Sequence, residues 1–181
     1  MPQFFTAMKK LLLLLVVAFA ATNTIAQTDI FSAARNNDTL QIKQWLQAKR
    51  PIDTANAQGA TPLIIACYNN QMEAAHLLLK RGANPNAQDK TGNSALMGVC
   101  FKGYPPIAEL LLRYKADVNL QNLNGATALN FAATFGHLSL CELLKKRGAD
   151  LQHKDRYGKT ALDYAKIQEN EDIIKLLSAE K

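Results

Sequence analysis

An all-α solenoid of stacked helix-turn-helix units, joined by short hairpin-like loops, is the fold class this sequence predicts. Three observations predict it. Gly59, Gly92, Gly125 and Gly158 recur every 33 residues. Thr61, Ser94, Thr127 and Thr160 follow them by two positions, and Leu63, Leu96, Leu129 and Leu162 by four. Paired leucines then close each unit: Leu77-Leu78, Leu110-Leu111, Leu143-Leu144 and Leu176-Leu177. A fixed period of 20–50 residues is the mark of a repeat architecture, in which each unit buries its apolar face only against its neighbours.

The chain starts with a segment of another kind. Lys9-Lys10 precede "LLLLLVVAFAA", an uncharged run, and small and polar residues follow in "TNTIAQ". A basic start, a short apolar run and small residues before a cut describe a secretory signal peptide over residues 1–26. The run is shorter than the roughly 20 apolar residues of a membrane span. Cleavage is expected after Ala26, with Ala20 as the second choice, and Met8 is a natural alternative start. No Cys ends the run, so no lipoprotein anchor is expected. The mature form, residues 27–181, is expected to be one domain, periplasmic or secreted, and monomeric on its own. Taking Lys9 and Lys10 from 21 Lys+Arg leaves 19 against 15 Asp+Glu, a charge of +4. That mild, scattered excess favours solubility and acidic partners; a nucleic-acid binder would concentrate it in a stripe.

Each unit is justified in turn. Residues 28–56, with Ala33-Ala34, Asn37-Asp38 and Trp45-Leu46 in register but no hairpin glycine, read as an N-terminal capping repeat. Full repeats are expected over 57–89, 90–122 and 123–155, and a C-terminal capping repeat over 156–181. Within a unit, the Thr or Ser hydroxyl caps the first helix, Pro62 sits where a helix tolerates it, and Leu63, Ala66 and Cys67 share one face. Gly82 and Gly148 follow the second helix, where a left-handed residue ends it. Lys49 and Lys115 replace glycine at that position, at about 1 kcal/mol each if they adopt the left-handed form. The third repeat carries Gly98 inside its first helix, at a cost of about 1 kcal/mol against Ala, and Pro105-Pro106 at the start of its second. Gly98 is expected to permit close packing or to admit a neighbouring side chain, and this repeat to be locally the weakest.

The segment "GATPLIIACYNNQMEAAHLLLKRGANPNAQD" resembles the ankyrin repeat, and the resemblance covers residues 28–181. The family's His after Thr-Pro-Leu is replaced by Ile64, Met97, Asn130 and Asp163, which removes the link that His makes between hairpins. The resemblance implies a non-catalytic recognition scaffold whose partners meet the hairpin tips and the exposed faces of the first helices. Carried over by register, the first-helix positions include Tyr68, Asn69, Phe101, Lys102, Thr134 and Phe135. The hairpin positions include Lys90, Asn93, Leu123, Arg156 and Tyr157. Tyr68, Phe101 and Phe135 fall in successive repeats and suggest an apolar contact patch. Lys90, Lys102, Arg156 and Lys159 rim it, which suggests an acidic protein partner, exported or envelope-associated. An inhibitor or protective partner is expected, with a chaperone-like stabiliser of an envelope enzyme as the alternative.

Catalytic chemistry finds little support. "GNSAL" lacks the second Gly of a nucleophile elbow, and Ser94 is explained as a cap. His76, His137 and His153 have no Cys or His at ligand spacing, so neither metal nor cofactor is expected. Cys67 and Cys100 occupy the same place in adjacent repeats, where packed helices stand roughly 8–10 Å apart, beyond disulfide reach. Together with Cys141 they read as small buried core residues.

Overall fold

The computed structural model describes residues 29–178. The expected signal segment lies outside the described residues. Among the described residues, ten helices fall in five consecutive pairs: α1 (Ile30–Arg35) with α2 (Thr39–Gln47), α3 (Pro62–Tyr68) with α4 (Met72–Lys80), and α5 (Ala95–Lys102) with α6 (Pro105–Arg113). The last two are α7 (Ala128–Thr134) with α8 (Leu138–Lys146), and α9 (Ala161–Ile167) with α10 (Glu171–Ser178). The loops between pairs hold one isolated antiparallel bridge, Gln88 with Ser94.

The capping residues do what their spacing predicts. Thr61 Oγ1 accepts from the Ile64 N–H at 3.3 Å, and Ser94 Oγ from the Met97 N–H at 3.4 Å. Pro62 and Pro105 open α3 and α6, where their missing N–H is not needed. Gly82 and Gly148 end α4 and α8 with φ of 90° and 86°. Lys49 and Lys115 adopt the same left-handed form, at 55° and 65°.

A second left-handed register was not legible. Asn37, Asn70, Gly103, Gly136 and Glu169, again 33 apart, all have positive φ in the turn between the helices of a pair. Three residue types share one backbone state, because the turn geometry is set by how the pair packs and not by the residue alone.

The first helices stack closely, α1 on α3 on α5 on α7 on α9, and the second helices more loosely. Small side chains allow the close stack: Ala34, Ala66, Cys67, Cys100, Ala132, Ala133 and Ala165 are all at 0% exposure. Leu78, Leu111 and Leu144 from the second helices fill the other side, each worth roughly 1.5–3 kcal/mol of burial. All three thiols are buried, as read from the sequence. Burial raises those of Cys67 and Cys100 well above the ordinary thiol range and pushes that of Cys141 up to about 12. Such a group is not a thiolate nucleophile at neutral pH.

The loops are tied to one another. The Lys90 N–H donates to the Gln58 carbonyl at 3.0 Å, Leu123 to Thr91 at 3.1 Å and Arg156 to Asn124 at 2.9 Å. One backbone rung therefore joins each hairpin tip to the next. Gly92 is required for this approach: its φ is 79°, and a Cβ there would lie 2.6 Å from the Leu123 nitrogen. Asn56, Asp89, Asn122 and Asp155, a further set 33 apart, each turn Oδ1 onto the N–H groups two and four residues on. This Asx turn fixes the tip in every repeat. The hairpins are thus linked by backbone rungs without the family's histidine.

Candidate protein-binding groove

Two elements of every repeat build one surface: the first helix supplies the floor and the hairpin supplies the wall. The sequence places Tyr68, Phe101 and Phe135 on this surface, and the structure brings them into one line. The Tyr68 and Phe101 rings stack at 6.1 Å between centroids and 10° between planes. Phe101 meets Phe135 edge to face at 4.6 Å and 73°. Aromatic pairs prefer these offset and edge arrangements. The rings pack on one another and still face outward, Tyr68 at 43% and Phe135 at 46% exposure. Lys102 reaches over the Tyr68 face, with Nζ 5.0 Å from its centroid, which holds a cation beside the apolar line.

The remaining expected residues divide. Asn93 lines the groove and is locked between Thr91 Oγ1, to which it donates, and the Asn122 amide, from which it accepts. Thr134 also lines the groove, with its hydroxyl donating to the Asn130 carbonyl at 2.7 Å. Tyr157 is 65% exposed and forms part of the wall beside it. Arg156 lies 5.3 Å over the Tyr157 ring and donates to Asn124 Oδ1. Asn69 is turned onto its own helix end, donating to the Ile65 carbonyl at 2.8 Å. Leu123, at 75% exposure, and Lys90 stand at hairpin tips outside the linings of both pockets described next, and Lys102 ends α5 beside Tyr68.

The groove is deepened at two places. A pocket of about 250 Å³ lies at the second and third repeats, with Ile64, Met97, Gly98 and Phe101 in its lining. A pocket of about 210 Å³ lies at the fourth and fifth, with Asn130, Thr134, Asp155 and Tyr164. Phe131 borders both. Two registers decide their chemistry. At positions 65, 98, 131 and 164 stand Ile, Gly, Phe and Tyr. Gly98 is the missing side chain that leaves the first pocket open: a Cβ there would touch Tyr68 Cδ2 at 3.5 Å, an ordinary contact. At positions 64, 97, 130 and 163 stand Ile, Met, Asn and Asp. At this register the first pocket therefore meets hydrocarbon and thioether, beside the polar Asp89, Asn93 and Ser94, and the second meets the Asn130 amide among aromatic rings.

Ile64, Met97, Asn130, Phe131, Asp155 and Tyr164 were not anticipated as groove residues. The signal that could have found them is the two registers just given, whose residue types change sharply between the third and fourth repeats.

Asp155 is the strongest electrostatic feature of the second pocket. It is 7% exposed. Burial opposes its ionisation. The Tyr164 hydroxyl, the Lys159 and Tyr157 N–H groups and the Lys159 charge outweigh that, and hold its carboxyl below the ordinary value. Tyr164 is pushed up to about 12, by burial and then by that same hydrogen bond. The pair is an ionised carboxylate with a phenol donor at neutral pH. Histidines serve the scaffold: His137 Nε2 lies 3.3 Å from the Phe101 carbonyl, His153 Nε2 lies 2.7 Å from that of Gly125, and His76 packs edge-on against Tyr114. Among the described residues, no three of His, Cys, Asp and Glu gather where they could hold a metal ion.

A face assembled from one position per repeat, not from a single loop, is how stacked helical-repeat scaffolds present a binding surface. The comparisons agree with that class. The family model for ankyrin repeats (3 copies) matches residues 6–89, 30–122 and 96–181. The chain belongs to the ankyrin-repeat family, whose repeats serve as scaffolds for protein–protein interaction. A curated relative, protein fem-1 homolog A-like of Mus musculus, is 43% identical over 47 residues, covering 26% of this chain and 7% of that protein. The match therefore spans a small part of the mouse protein's length.

Proposed function

We propose that this chain is a non-catalytic scaffold that binds another exported or envelope protein, acting in the periplasm or after secretion, as an inhibitor or protective partner. The observation that carries the binding surface is the continuous ring line of Tyr68, Phe101 and Phe135. Three aromatic side chains from three separate repeats stay partly in water where they could have been polar, and aromatic side chains dominate the energetics of protein interfaces. Lys90, Lys102, Arg156 and Lys159 rim the groove, and none makes an ion pair among the described residues. A partner with acidic residues around an apolar contact fits that rim. The basic and apolar N-terminal segment supports export.

The test of the surface is the double replacement Tyr68→Ala with Phe101→Ala, used as bait in affinity capture from the envelope fraction. Loss of the captured partner with an unchanged helical circular-dichroism spectrum is the expected result. A partner retained at full yield would remove the ring line from the interface. Export is checked by sequencing the N-terminus of the protein recovered from the periplasm or medium, where Gln27 is expected first.

A further inference from the structure

Asp89 and Asp155 hold the same place in the third and fifth repeats, and their carboxylates are fixed in the same way. Asp155 Oδ1 accepts from the Tyr157 and Lys159 N–H groups at 2.9 and 3.1 Å. Asp89 Oδ1 accepts from the Thr91 and Asn93 N–H groups at 2.8 and 2.9 Å. The backbone of the two turns matches as well: the Gly92 and Gly158 N–H groups donate to the Asp89 and Asp155 carbonyls, each at 2.9 Å. With Oδ1 pinned alike, Oδ2 is turned to the same side in both repeats. In the fifth repeat that side holds Tyr164, whose hydroxyl donates to Asp155 Oδ2. In the third, the residue in the register of Tyr164 is Gly98.

The acceptor is not answered from elsewhere. Every hydrogen bond to the Asp89 side chain ends on Oδ1, the Thr91 hydroxyl included. Where Asn122 meets Asn93 of the preceding repeat, the equivalent neighbour of Asp89 is Ala60, which has no donor in its side chain. Among the described residues, the one buried side-chain polar atom without a partner is Nδ2 of Asn130. Asp89 is half-buried, so its Oδ2, also without a partner, is open to solvent. The space is open too. Beyond its own helix, a Cβ at Gly98 would meet only Tyr68 Cδ2 within 4 Å. The pocket of about 250 Å³ at this point has Asp89 in its lining together with the rings of Tyr68, Phe101 and Phe131.

Aromatic walls beside one acceptor select a flat ring that carries a donor. A carboxylate would be repelled by Asp89. A cation would meet Lys102, whose Nζ already stands 5.0 Å from the centroid of the Tyr68 ring. A phenol is neutral at pH 7 and donates.

We propose that this pocket is a subsite for a tyrosine side chain of the partner protein, its ring entering where Gly98 has no side chain and its hydroxyl donating to Asp89 Oδ2, as Tyr164 donates to Asp155 within the chain. The assignment rests on the protein-binding reading above and names what the Gly98 end of the groove takes.

The experiment is a nitrogen-15 NMR titration of the residue 27–181 chain with N-acetyl-L-tyrosine amide, and separately with the phenylalanine and arginine amides. The tyrosine probe is expected to shift the Gly98 N–H and to bind about tenfold more tightly than the phenylalanine probe, the gain from one hydrogen bond to a charged acceptor. Asp89→Asn keeps the Asx turn, as Asn56 and Asn122 do. It is expected to abolish that preference with an unchanged melting curve and to lower capture of the partner. Gly98→Ala narrows the pocket and is expected to weaken both aromatic probes. An unmoved Gly98 N–H, a phenylalanine probe that binds as well as the tyrosine probe, a preference kept in Asp89→Asn, or tighter binding of the arginine probe each overturns the subsite. The titration needs no partner, and Asp89→Asn keeps all three rings of the line. Capture lost in Tyr68→Ala with Phe101→Ala but kept at full yield in Asp89→Asn therefore retains the groove and removes the subsite.

Discussion

The two ends of the groove share a backbone and differ in chemistry. At the second and third repeats, Ile64, Met97 and Gly98 make the first-helix positions apolar and partly vacated, beside the polar Asp89 and Asn93. At the fourth and fifth, Asn130 and Tyr164 put polar groups at the first-helix positions among aromatic rings, and Asp155 accepts from the Tyr164 hydroxyl. The caps, rungs and core leucines repeat across both. A repeat scaffold can therefore vary what it recognises by changing two registers while the stacking residues stay fixed. Stability follows the same division, because a hydrocarbon floor depends on contact area and a polar floor depends on every donor having its acceptor.

The largest effect is expected from Asp155→Ala. It removes the acceptor of three part-buried hydrogen bonds, from the Tyr157 and Lys159 N–H groups and the Tyr164 hydroxyl, at about 3 kcal/mol by urea unfolding. Asp89→Ala at the apolar end removes the equivalent Asx turn where water can replace it, and about 1 kcal/mol is expected. Equal costs would erase the distinction between the two floors. Acid provides a second lever. The folded pKa of Asp155 is depressed, so its contribution is present above the unfolded value near 3.9 and is lost as pH falls through the folded value. The gap in melting temperature between wild type and Asp155→Asn should be full near pH 6 and shrink steadily below about pH 4. A gap that widens on acidification would contradict the sign.

Smaller effects sharpen the apolar end. Gly98→Ala removes a helix-interior glycine and adds a methyl that meets Tyr68 at contact distance, so a gain of about 1 kcal/mol is expected. The methyl also fills part of the first pocket, so partner affinity should fall as the melting temperature rises. A loss of stability would mean that Gly98 is a packing requirement and not a vacated position. Lys115→Gly relieves a left-handed residue with φ of 65° and should raise the melting temperature by up to about 1 kcal/mol equivalent. No gain would show that the lysine stem contributes packing that offsets the strain.

Much of this was legible before the structure. Thr61, Ser94 and Thr160 read as caps because only a few residue types supply an oxygen at that place. The ring line was legible because a period of 33 puts Tyr68 and Phe101 at the same height on adjacent helices. Phe135 lies one position beyond that register, and only packing could show that its ring turns back onto Phe101. Asn69 had the right position for the groove, but its amide is used on its own helix end. The period gives a position and not a rotamer.

By itself the sequence determined the number of repeats, their caps, the buried leucines and small residues, and the face on which the aromatics stand. These follow from local propensity and from periodicity, which are properties of the chain taken one repeat at a time. The tertiary structure alone decided that Gly98 leaves a pocket, that Phe131 borders both pockets, and that Asp155 and Tyr164 pair beneath the last hairpin. It also showed that Asn130 keeps an unanswered donor. Each of these depends on which atoms of one repeat meet those of the next, a matter of stacking distance and side-chain direction that no single repeat contains.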